Sequence, residues 1–188
     1  MKRVRQSLTQ VAVVLLSVAG MVALGVAAVV DTTFSATAQV LPCAKVPGTA
    51  EPFEGKRHLA YEGQPHPAYR TIPPTSGWHS PQIVATGVYR EPIPEELQVH
   101  FLEHGHVLIQ YAKGIDPVVL ETIARRHPRD VAVAPYPRLD HGVALTGWQR
   151  LERFDGIDVA GIDRFIAGVA GRYEHNWKHG ATDCAIRH

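Results

Sequence analysis

The chain has 188 residues, with 19 Lys and Arg against 18 Asp and Glu. Setting aside residues 1–38, which hold Lys2, Arg3, Arg5 and Asp31, leaves 16 basic and 17 acidic residues. A near-neutral remainder with no Lys/Arg block excludes nucleic acid as a partner and a polybasic membrane-binding surface, and its length suits one core, not two.

In chain order, the first unit is residues 1–38. Lys2, Arg3 and Arg5 precede an apolar run from Val11 to Val30 that carries no charge over 20 residues. As a helix that run covers about 30 Å, the thickness of a bilayer's hydrocarbon core, whereas a cleaved signal needs only about 7 to 15 apolar residues. Length therefore favours a retained transmembrane anchor over a signal segment. The alternative is cleavage after Ala36-Thr37-Ala38, before Gln39. In both cases the positive charge holds the N-terminus in the cytoplasm, and residues 39–188 form one globular domain on the extracytoplasmic side of the cell membrane.

The domain's two cysteines, Cys43 and Cys184, lie at its ends. That placement rules out a CxxC redox motif, and in an oxidising envelope it predicts a disulfide clipping the ends together. The competing reading is two unpaired thiols, one of them lipidated, although Leu41-Pro42 before Cys43 lacks the small residue of a lipidation site.

Residues 39–98 are rich in Pro and Gly. Pro65, Pro67, Pro73, Pro74, Pro81, Pro92 and Pro94 forbid long helices, because each removes a donor and restricts its predecessor. An ordered covering arm with short edge strands is expected. Regular structure follows. Glu95–His104 reads as a short helix, with Pro94 and two glutamates at its start and Gly105 at its end. His106–Tyr111 is a buried strand by its β-branched content. Asp116-Pro117 opens a helix that stops at Pro128. Val131–Ala134 is a second strand and Gly142–Phe154 holds a third. Asp158 caps a last helix through Val159, Ile162, Phe165, Ile166, Val169 and Tyr173. The order β-α-β-β-α predicts an α/β domain, with α+β as the alternative, whose C-terminal half resembles a thioredoxin-like layer. Without a CxxC, that likeness carries no thiol chemistry.

All eleven histidines fall in the exported part. The informative segment is His100-Phe101-Leu102-Glu103-His104. On a helix, imidazoles at i and i+4 share a face with Cβ atoms about 6 Å apart and can reach one ion. On a strand the gap is about 13 Å, too wide to chelate. His175 and His179 have the same spacing but lie where the chain is expected to fray. His141 reads as a turn residue, and His58, His66, His127 and His188, without partners in sequence, as surface or structural.

The segments PPTSGWH (Pro73–His79), GVY (Gly87–Tyr89), VHFLEHG (Val99–Gly105), VLIQY (Val107–Tyr111) and ALTGWQR (Ala144–Arg150) resemble the bacterial family catalogued as domain of unknown function 3105. The resemblance covers about residues 70–155. It implies a short membrane-anchored envelope protein with no assigned activity, and it puts His79, His100, Glu103 and His104 at signature positions. His106 and the EHNWKH tail look particular to this chain.

Three readings follow. In the first, His79, His100 and His104 form a three-imidazole site for Zn(II) or Cu(II), with Glu103 as fourth ligand or as the carboxylate that orients them. Soft Cu(I) handling is disfavoured, since Met1 and Met21 are the only methionines. In the second, these side chains tie down the proline-rich arm and make a platform for an envelope protein partner. His79 and Ser76 then bond backbone carbonyls, and Glu103 pairs with Arg90 or Arg70. In the third, HFLEH is the H-x-x-E-H pattern of inverted zinc peptidases, with Glu103 as base and Glu174 as a distant third ligand. A five-residue pattern in a histidine-rich chain arises readily by chance, so hydrolysis is the weakest of the three.

Overall fold

The computed structural model describes residues 46–172. The expected span over residues 11–30, Cys43, Cys184, Glu174 and the tail histidines lie outside them. No helix among the described residues is long and apolar enough to cross a membrane.

The described chain is a mixed α/β domain of six strands and three helices. In order these are β1 (Thr49–Ala50), β2 (Gly87–Val88), α1 (Glu95–Glu103), β3 (Val107–Tyr111), α2 (Val118–Arg126), β4 (Val131–Pro135), β5 (Val143–Gly147), β6 (Arg150–Phe154) and α3 (Val159–Val169). One sheet holds all six strands in the order β1-β6-β5-β3-β4-β2. β3 and β4 are parallel, joined through α2, with Val107 opposite Val131. β5 runs antiparallel to β3, and β6 antiparallel to β5. The two-residue strands β1 and β2 come from the proline-rich arm and close the two edges. Pro47 and Pro52, which cannot donate to a ladder, bracket β1 and keep it short.

Burial tracks position in the sheet. Central β3 and β5 are buried at nearly every residue, as strands covered on both faces must be, whereas β6 next to the edge mixes buried and exposed positions. α1 packs on β3 and β5, and α3 packs on β5. Leu102, Val107, Leu145, Ile162 and Phe165 are fully buried between them.

Two expectations are corrected. Gly142–Phe154 is not one strand but the β5–β6 hairpin, turning at Trp148-Gln149, where Gln149 takes φ +59°. A non-glycine residue in the left-handed region gives no sequence signal for a turn. The last helix ends at Val169 rather than running to Tyr173. The Gly171 N–H, past its end, donates to the Gly105 carbonyl at 2.8 Å.

The arm is tied to this sheet by a buried cation. The Arg150 guanidinium donates to the carbonyls of Val46, Pro47 and Gly48 at 2.6 to 3.2 Å. Gly48 has φ +76°, and a Cβ there would lie 2.8 Å from the Phe165 ring and 2.9 Å from the Leu151 carbonyl oxygen, so only glycine fits. Further along, Gln149 N–H donates to Thr75 O at 3.0 Å, fixing the buried Pro73–Gly77 stretch against the hairpin turn.

Candidate metal centre

Three segments converge at one end of α1. The first two lie side by side: His79 N–H donates to Arg57 O at 2.9 Å and Leu59 N–H to His79 O at 2.8 Å, a short parallel bridge that aligns His58 with His79. Gly77 makes the close approach, its N–H donating to Gly55 O at 2.9 Å with φ +122°. Tyr69 braces this loop by donating to Trp78 O at 2.5 Å; burial first, then three nearby glutamates, push its phenol well above the usual range, so it stays a donor. The third segment is the last turn of α1, which carries His100, Glu103 and His104.

His79 is fully buried, His100 and Glu103 nearly so, while His58 and His104 face solvent. Ligand nitrogens of His58, His79 and His100 all lie within 4.8 Å of one another. His104 Nε2 is 2.8 Å from His100 Nε2. Glu103 Oε2 sits 3.0 Å from His79 Nε2 and 3.8 Å from His58 Nε2. The His58 ring stacks on His100, and Trp148 meets His79 edge-on from the inner side, 6.4 Å between centroids.

The hydrogen bonds fix the tautomers. His79 Nδ1 lies 2.8 Å from Gly77 O, and His100 Nδ1 contacts Ser80 O. A carbonyl only accepts, so both Nδ1 atoms carry the proton, and in neutral rings both Nε2 lone pairs point into the cluster. His79 Nε2 is buried with no hydrogen bond, although Glu103 Oε2 is near it. The His100 imidazole is pushed below its usual pKa, chiefly by burial, with His79 and His58 acting in the same direction against the Ser80 bond and Glu103. The arrangement therefore presents several imidazole nitrogens and a carboxylate to one small space.

The structure thus brings His79, His100, Glu103 and His104 together and adds His58. Reading His58 as an isolated surface residue is corrected: its partner lies 21 positions away, across a bridge no local spacing signals. The pairing of Glu103 with Arg90 or Arg70 is also corrected. Arg90 engages Glu121, while the Arg70 backbone N–H binds Glu54. His79 and Ser76 do meet backbone carbonyls, of Gly77 and Pro52. The other described histidines stand apart: His66 faces Glu96, His106 stacks on Phe101, His127 ends α2, and His141 faces Asp155.

The model of the family described as "Protein of unknown function (DUF3105)" matches residues 63–183. The match takes in His79, His100, Glu103 and His104 and begins after His58. No curated protein and no solved structure matches the chain. With well over half its length matched, the chain belongs to the DUF3105 family.

Proposed function

We propose that this DUF3105 protein is an extracytoplasmic, membrane-anchored protein whose domain binds one divalent transition metal, Zn(II) or Cu(II). His79, His100 and His58 form the core of the donor set, with His104 and Glu103 beside them. One observation carries the reading: His79 and His100 commit their Nδ1 protons to backbone carbonyls, which turns the buried His79 Nε2 toward Glu103 and the His100 Nε2 toward His104. The His100 lone pair can accept from His104 Nε2–H, but the His79 lone pair faces the Glu103 carboxylate at 3.0 Å, an arrangement that is repulsive unless a proton or a metal ion lies between them. Metal-bound imidazoles characteristically give their other N–H to a carbonyl, as both rings do here.

The spacing is compatible with a modest closure. Imidazole nitrogens about 2.1 Å from a tetrahedral zinc stand roughly 3.4 Å apart. The His100–His104 and His79–Glu103 contacts are already within that distance, and the widest spacing in the three-histidine group is 4.8 Å. Nitrogen donors suit Zn(II) and Cu(II), and the lack of methionine after Met21 argues against Cu(I). Solvent exposure at His58 and His104 gives a bound ion access to an exogenous ligand. The β3-α2-β4-β5-β6-α3 path is read as a thioredoxin-like layer serving as scaffold, without the paired thiols of redox enzymes.

A second reading is favoured by the same 3.0 Å contact, which is also the length of an ion pair. There a proton replaces the metal, His79 is an imidazolium held by Glu103, and the cluster is a rigid platform for an envelope partner. Calorimetry and elemental analysis of the purified protein separate the two. The metal reading expects about one equivalent of Zn(II) or Cu(II) bound tighter than about 10 μM, near 7 kcal/mol, lost in His79→Ala and His100→Ala and kept in His127→Ala. Weaker binding, or binding that survives both substitutions, gives the platform reading its place.

A further inference from the structure

The three segments that carry His58, His79 and His100 also build a cavity of about 420 Å³. Leu59, Tyr61 and Glu62, just after His58, form one wall; Pro81, just after His79, forms the second; Glu96 and Leu97 of α1 form the third. Glu96 lies four residues before His100, one helical turn away on the same face. The volume falls within the range of small-molecule sites, and apolar walls with a few polar groups are their usual composition.

The charge of the lining is one-sided. The lining residues include Glu62 and Glu96 and no Lys or Arg. Glu96 turns Oε1 toward His66 Nε2 at 3.3 Å, and its Oε2 makes no hydrogen bond among the described residues. Tyr61, 63% exposed, lines the cavity from a loop closed by two hydrogen bonds: Gln64 N–H to Tyr61 O and Ala60 N–H to Gln64 Oε1. A ring so exposed on an ordered turn adds nothing to the core but offers its face to a cation.

We infer that this cleft binds a primary ammonium group carried on a short hydrocarbon stem. The carboxylates of Glu62 and Glu96 take the ammonium, Leu59, Pro81 and Leu97 cover the stem, and the Tyr61 ring closes over the charge. An anionic head would meet two carboxylates with no Lys or Arg in the lining. The inference goes beyond metal binding and does not rest on it, because the cleft is complete without an ion.

Calorimetric titration of the full-chain protein with n-pentylamine and, separately, with pentanoate tests it, in chelator-stripped and zinc-treated samples. The expected result is saturable amine binding at about 1 mM or tighter, none for pentanoate, and about tenfold weaker amine binding in Glu62→Gln/Glu96→Gln. Glu62→Gln alone, at an exposed position, gives a smaller loss and answers the question if the double variant does not fold. Competition by acetyl-Ala-Lys-Ala-amide assigns the ammonium to a lysine side chain, and failure to compete assigns it to a free amine; both keep the site. Equal binding of amine and carboxylate, unchanged amine binding in the variants, or no saturable amine binding overturns it. Amine binding to the stripped sample without any zinc binding leaves this inference standing while the metal reading falls.

Discussion

His79 spends one ring nitrogen on the Gly77 carbonyl and leaves the other, fully buried, facing a carboxylate at 3.0 Å. On the proposed metal reading, Glu103 decides what a bound ion can do, which makes Glu103→Gln the informative substitution. If Glu103 ligates the ion, the amide weakens metal affinity by about ten- to a hundredfold. If it serves as a base toward a metal-bound water, metal binding survives and any hydrolytic activity disappears. Protons compete for the same lone pairs. The His100 pKa is lowered, so its ring is neutral above the ordinary imidazole range and protonates only as pH falls below about 6.5. Metal affinity is therefore expected to be flat above neutrality and to fall on acidification below that point, measured by calorimetry across pH. An affinity that rises on acidification contradicts neutral imidazole ligands. At this scale the sequence was half legible. The i, i+4 pair His100 and His104 declares itself through helical geometry, but His58 is brought beside His79 by a backbone bridge between two irregular segments, which no local spacing signals.

The elements divide along the same line. α1, β3, α2, β4 and α3 rest on local signals that survive into the fold: a proline at a helix start, a β-branched run, the Asp158 side chain accepting from Gly161 N–H at 3.0 Å. The hairpin does not, because its turn uses Gln149 rather than glycine or asparagine. The arm is held by contacts more than a hundred residues apart in sequence, which no window detects. Arg150 is the chief of these, a buried guanidinium bonded to three successive carbonyls. Removing it strands those acceptors and frees β1 from the sheet edge. Arg150→Ala is therefore expected to lower stability by about 2 to 4 kcal/mol in denaturant titration, with an unchanged transition slope if the rest of the sheet holds. A loss under about 0.5 kcal/mol would mean that the arm is held by its other contacts.

For the whole molecule, the question is how a domain whose candidate site draws His58 and His79 from a proline-rich arm keeps that arm in place. The described chain begins at Val46, whose carbonyl is bonded by Arg150, so the arm's entry is pinned at the β6 edge. Cys43 stands three residues before that point and Cys184 twelve residues after Arg172, outside the described residues. A bond between them would fasten the chain just outside the Arg150 anchor and close a loop around the whole domain. In an oxidising envelope, an even cysteine count with this terminal placement predicts that bond. The loop-entropy argument assigns about 5 kcal/mol to a ring of this length, usually an upper value because native strain and residual structure reduce it. Thiol labelling of the non-reduced, folded and then denatured protein is expected to find no reactive sulfhydryl, and reduction to lower the melting temperature by several degrees. The effect should fall on unfolding more than on the site, because the ring restricts the denatured chain whereas the histidine cluster is held by its own hydrogen bonds. Two reactive thiols in the denatured, non-reduced protein would remove the disulfide and leave Arg150 as the fastening of the arm.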